Sequence, residues 1–189
     1  MLLVALGGCR SDKSTVSSGT TGSTSPSTST STTASTLPAF TGGGTTAVST
    51  PVTPKRYLTG IRVGRQNGFD RIVFEFDNAA EPPGYQVSYV NRPVQEDGSG
   101  KPVTITGDSV LEIHMESASG VDLSGGKVTP TYTGPKRLTP SGPAVVDMAE
   151  AGDFEGVLRW VAGVKGHPPF VVSTLTGPGR LVIDVAAAP

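Results

Sequence analysis

The chain is expected to be all-β: a single β-sandwich of about eight short strands in two sheets, standing after a disordered N-terminal tether. Three observations carry this. Glycine and proline supply 30 of the 135 residues from Lys55 to Pro189 and interrupt the chain wherever a helix could run. The only two stretches there longer than ten residues and free of both alternate apolar and polar side chains with a period of two, the signature of a half-buried strand. Upstream, from Ser14 to Pro54, no side chain is charged and 33 of 41 residues are Ser, Thr, Gly or Pro, a composition that cannot build a core.

Taken in order, the N-terminal residues Leu6-Gly7-Gly8-Cys9 resemble the bacterial lipobox, in which an apolar run and small residues precede a cysteine that is cut to become a diacylglycerol-bearing N-terminus. Cys9 is the only cysteine, so no disulfide can form within the chain and its thiol is free for lipid. Two acyl chains suffice for stable membrane attachment where one does not. Residues 1–9 are thus expected to be the remnant of a lipoprotein signal peptide, and Cys9 the lipidation site. An export signal normally runs to about 15–30 residues with a basic start, and neither Lys nor Arg precedes Cys9, so translation is expected to begin upstream of Met1. The expected address is the extracytoplasmic face of the cell membrane, held by lipid. No apolar run is long enough for a membrane-spanning helix.

Residues 10–54 are expected to form the tether, with a root-mean-square span of about 35–40 Å. Its Ser/Thr density with interspersed proline suits O-glycosylation as well as a passive spacer. Charges return at Lys55 and Arg56, which sets the boundary of a single domain, residues 55–189. The formal net charge of −1 offers no dense basic surface, and nucleic acid is excluded as a partner.

Within the domain, Ile72, Phe74 and Phe76 alternate with Arg71, Val73, Glu75 and Asp77, and Leu111, Ile113 and Met115 alternate with Glu112, His114 and Glu116; both are strands. Further strands are expected at Leu58–Val63, Tyr85–Val90, Ala144–Ala151, Val157–Val164, Phe170–Leu175 and Arg180–Val185. Turn chemistry such as Gln66-Asn67-Gly68, Asp97-Gly98 and Gly177-Pro178-Gly179 separates them. The Gly- and Pro-rich stretch from Gly120 to Pro143 is either an ordered excursion over the sandwich or a mobile flap. Trp160 shares a strand face with Leu158 and Ala162, so burial is expected, with a partner for the indole N–H. Tyr85 and Tyr89 share a face with Val87 and also read as core.

Chemistry is sparse. Glu112, His114 and Glu116 project from one strand face and could approach a metal, but two long carboxylates and a single histidine suit a solvated face better, so no metal and no cofactor is expected. The chain lacks a Gly-x-Ser-x-Gly elbow and a phosphate-cradling loop, and His167 before Pro168-Pro169 reads as a turn histidine; an enzyme is not expected. Arg71, Glu75, Arg159, Arg180 and Asp184 lie opposite the apolar stripes, where cross-strand pairing is the favoured reading and ligand contact the alternative.

Gly68-Phe69-Asp70-Arg71-Ile72-Val73-Phe74-Glu75-Phe76 and Pro178-Gly179-Arg180-Leu181-Val182-Ile183-Asp184-Val185, with Trp160-Val161-Ala162-Gly163-Val164 and Pro169-Phe170-Val171-Val172 between them, resemble the AMIN-like domain of bacterial lipoproteins over residues 56–186. The resemblance implies a non-catalytic β-sandwich related to the AMIN domains that target peptidoglycan amidases and envelope secretins to the cell wall. The expected partner is peptidoglycan or another wall-associated component, the alternative a protein–protein module that recruits an envelope enzyme or assembly factor, and the second alternative an enzyme of unrecognised type. For wall binding, Arg71, Arg159 and Arg180 are the candidate ligand contacts, since a guanidinium can engage a stem-peptide carboxylate with two donors.

Overall fold

The computed structural model describes residues 40, 43–50, 53–77 and 81–187. Cys9 and most of the expected tether lie outside the described residues. Among the described residues there are thirteen strands: β1 (Thr46–Val48), β2 (Arg56–Arg65), β3 (Phe69–Phe76), β4 (Gly84–Val90), β5 (Ser109–Glu116), β6 (Ala118–Ser119), β7 (Val121–Asp122), β8 (Thr129–Pro130), β9 (Arg137–Leu138), β10 (Val145–Phe154), β11 (Val157–Val164), β12 (Phe170–Leu175) and β13 (Arg180–Ala186). The eight expected strands are all among them, with ends moved by a few residues.

One sheet runs β1-β4-β5-β11-β10-β9 and the other β12-β13-β3-β2-β6, while β7 and β8 form a separate two-stranded ribbon. All pairings are antiparallel except β2 with β6. The two large sheets pack as a sandwich because each long strand buries alternate residues. In β3, Ile72, Phe74 and Phe76 are buried while Arg71, Val73 and Glu75 are only partly so. These side chains meet Leu181, Ile183 and Val185 of β13 and Leu111, Ile113, Met115, Leu158 and Trp160 from the opposite sheet in one core. Trp160 is fully buried, with Phe74 and Tyr132 edge-on to it at 6.2 and 6.1 Å between ring centroids. Its indole N–H has no acceptor among the described residues, contrary to expectation; apolar and aromatic neighbours fill its surroundings instead.

The N-terminal approach differs from the expected tether. Gly44 exchanges backbone hydrogen bonds with Phe170 of β12, and two residues later β1 joins β4 in the other sheet, so a segment inside residues 10–54 spans the two sheets. Gly43, which reads as linker, serves close approach: a Cβ there would lie 2.8 Å from the Phe170 carbonyl oxygen. The stretch from Gly120 to Pro143 is an ordered excursion, fixed where β9 pairs with β10 and where Tyr132 packs on the core.

A second apolar cluster lies on the outer face of the six-stranded sheet. The β4–β5 connection, residues 91–108, folds back over that face and packs Val94, Val103 and Ile105 on Val110, Ala149, Ala151 and Val161. Missing side chains permit this. A Cβ on Gly163 would fall 1.6 Å from the Thr106 carbonyl oxygen, and one on Gly152 would fall 2.1 Å from the Asp97 carboxylate. Buried Asp147 accepts the Thr106 N–H at 2.8 Å and a bond from Arg137, which also donates to the Thr104 carbonyl at 2.9 Å.

A charged trough on the outer face of the six-stranded sheet

Period-two alternation decides which side chains leave the core. On β5 it sends Glu112 and His114 outward between the buried Leu111, Ile113 and Met115, and on β11 it sends Arg159 outward between Leu158 and Trp160. The docked connection then brings a third group to them. Residues 95–102 form a narrow turn closed by the Gln95–Pro102 bridge and the Glu96 N–H bond to the Lys101 carbonyl, with Gly98 and Gly100 at positive φ. Its tip is pinned to the sheet where Asp97 N–H donates to the Ala151 carbonyl at 2.9 Å.

Arg159 is the centre of the result. It donates to the Asp97 carboxylate and, at 2.6 Å, to Glu112, and its side chain is only 17% exposed. Burial works to lower its pKa, but the hydrogen bonds and charges of Glu112 and Asp97 outweigh burial and raise it. The cluster of one cation between two anions is therefore held in fixed geometry with a residual negative charge. Around the turn lie three contiguous open grooves of about 580, 460 and 500 Å³, all lined in part by Asp97. The first carries Lys136, paired with Glu150 at 2.7 Å, and Arg137; the third is bounded by His114, Val157 and Phe154. Phe154 precedes the two-residue turn Glu155-Gly156, both at positive φ, and its side chain is 59% exposed.

The other two arginines lie elsewhere. Arg71 on β3 faces Asp184 directly across on β13 and donates to it through Nε and one terminal nitrogen, each at 2.7 Å. That bond raises the Arg71 pKa against the lowering effect of burial. Arg180 sits opposite Glu75 on the same outer face, but Glu75 accepts from Arg62 at 2.5 Å, and the buried Arg180 Nε has no partner among the described residues. Arg71 and Arg180 thus share the outer face of the five-stranded sheet, and Arg159 lies on the outer face of the other sheet. The structure does not gather the three into one site.

His114 Nε2 lies 3.7 Å from Glu116, while Glu112 is engaged by Arg159; among the described residues no group of three or more His, Cys, Asp or Glu could hold a metal ion. His167 stacks on Tyr89 with centroids 3.8 Å apart, and the Ser109 hydroxyl is 3.3 Å from its Nδ1. The neighbouring Asp108 carboxylate accepts the Gly166 N–H at 2.7 Å, which fixes the turn and not the imidazole. Sequence reasoning missed Asp97, Phe154 and Asp70. Asp97-Gly98 was visible only as turn chemistry, and no period reveals a partner that arrives from a loop 62 residues away.

Among the described residues the sandwich thus sets the ion-paired Arg159, Asp97 and Glu112 beside open grooves. The chain belongs to the AMIN-like domain family, whose profile matches residues 56–187. AMIN domains are extracytoplasmic envelope domains associated with peptidoglycan, and AMIN-like domains are generally non-catalytic binding modules. No curated protein and no solved structure matches the chain. No helix among the described residues is long and apolar enough to cross a membrane.

Proposed function

We propose that the protein is a lipoprotein held on the extracytoplasmic face of the membrane through Cys9, whose sandwich binds peptidoglycan by way of the trough around Asp97 and Arg159. The observation that carries this reading is the family membership over residues 56–187 together with the three grooves that adjoin the ion-paired Arg159 and Asp97. Lipobox-like Leu6-Gly7-Gly8-Cys9 supports the anchor, and the Ser/Thr-rich residues after it support a reach from membrane to wall. Of the three arginines, Arg159 is the contact within the trough; Arg71 and Arg180 offer a separate contact on the outer face of the other sheet.

Co-sedimentation of the full chain with purified sacculi tests wall binding. The proposal expects the protein in the pellet; a protein that stays in the supernatant at every salt concentration contradicts it and favours a protein partner. Cys9→Ser tests the anchor separately: it releases the protein from the membrane fraction, and unchanged fractionation refutes lipidation at Cys9.

A further inference from the structure

The groove between the 95–102 turn and the β10–β11 turn combines two features that rarely coincide on a surface. Phe154 is 59% exposed, although covering a large apolar side chain is favourable. Within the same groove, of about 500 Å³, Arg159, Asp97 and His114 present donors and acceptors, and the first two are held rigid by their ion pair. A ligand that fits must offer an apolar face beside a rim of hydrogen-bonding groups. It must also bear little negative charge, because Asp97, Glu112 and Glu155 line or adjoin the groove and the charge of Arg159 is already countered by Asp97 and Glu112. A pyranose ring meets all three conditions: one face of C–H groups, a rim of hydroxyls and no charge. A stem-peptide carboxylate lacks the apolar face and carries the charge.

Groove sharing extends the point. Asp97, Gly98 and Arg159 also line the 460 Å³ groove on the far side of the turn, and Asp97 lines the 580 Å³ groove beyond. Several contiguous subsites around one turn suit a chain of sugars better than a single one.

We propose, resting on the wall-binding reading above, that the protein recognises the glycan strand of peptidoglycan and not its stem peptide, with Phe154 as the platform under one sugar ring and Arg159, Asp97 and His114 as the polar contacts. Phe154 sits at a hairpin tip with its side chain mostly in solvent, so its replacement leaves the fold intact.

The test is calorimetric titration of the full chain with soluble glycan strands freed of stem peptides, their exposed lactyl carboxyls amidated so that the strands carry no charge, run beside co-sedimentation with intact sacculi. The expected result is binding to both, a loss of about tenfold in affinity for the stripped strands in Phe154→Ala, and recovery in Phe154→Trp. Binding to intact sacculi without binding to stripped strands overturns the glycan assignment and leaves wall binding standing. An unchanged affinity in Phe154→Ala overturns the role of the platform. Failure to bind sacculi as well as strands overturns both readings.

Discussion

Asp70 is fully buried at the start of β3, where its Oδ2 accepts the backbone N–H groups of Ala144 and Val145 at 2.7 and 2.8 Å. These bonds fasten the start of β10 in one sheet to β3 in the other. Gly142 makes room for them, because a Cβ there would lie 2.1 Å from Oδ2. Asp70→Ala strands two buried donors, and the expected loss is about 2–4 kcal/mol of unfolding free energy, measured by urea denaturation. Tyr89 gives a prediction in pH. Burial pushes its phenol up to about 12, whereas in an unfolded chain it titrates near 10. The folded state thus holds the proton more tightly, and the contribution of the neutral phenol is complete below about pH 10 and is lost as pH rises towards about 12. Tyr89→Phe should flatten the alkaline fall in stability over that window; an unchanged slope assigns the fall to other groups. At this scale the sequence was legible where alternation decides the answer, as at Trp160 and the core phenylalanines. It was silent on Asp70 and Asp97, whose meaning comes from backbone and side chains 74 and 62 residues away.

The motif Trp160-Val161-Ala162-Gly163 shows how one strand serves two faces. Trp160 fills the core, and Gly163, three residues on and therefore on the opposite face, lies bare beneath Thr106. Aromatic and glycine at this spacing thus have separate physical causes, one on each side of the sheet. Gly163→Ala forces the 91–108 connection off the sheet and opens the Val94–Val103–Ile105 cluster. The expected cost is about 2–4 kcal/mol, accompanied by faster hydrogen exchange in residues 91–108. A destabilised variant with unchanged exchange there would mean that the connection is not held by this contact. The eight long strands were legible because six to ten residues are enough to display a period. The short strands β1, β6 and β9 display none; their pairing is dictated by β4, β2 and β10, which receive them. The docked connection was hidden for a related reason, since its fit depends on absent side chains at Gly152 and Gly163.

Across the whole molecule, the segment of residues 43–50 ties both sheets together at one side, with Gly44 on β12, β1 on β4, and the Ser49 hydroxyl accepting the Tyr85 N–H at 3.0 Å. A chain beginning at Lys55, the boundary read from charge alone, lacks these bonds. It should melt several degrees below a chain beginning at Leu37, as read by calorimetry; equal melting temperatures would show that the segment adds nothing. Composition misjudged this stretch because Ser, Thr and Gly describe a tether and an edge strand equally well. The trough, by contrast, is assembled from β5, β11 and a loop, and only its strand-borne half could be read in advance.

The claim on which the functional account turns is that the wall meets the outer face of the six-stranded sheet. Hydrogen exchange of the full chain, measured with and without soluble peptidoglycan fragments, addresses it directly. Slower exchange is expected at residues 95–102 and 154–157. Protection confined to the Arg71 and Arg180 face, or no protection at all, would contradict it.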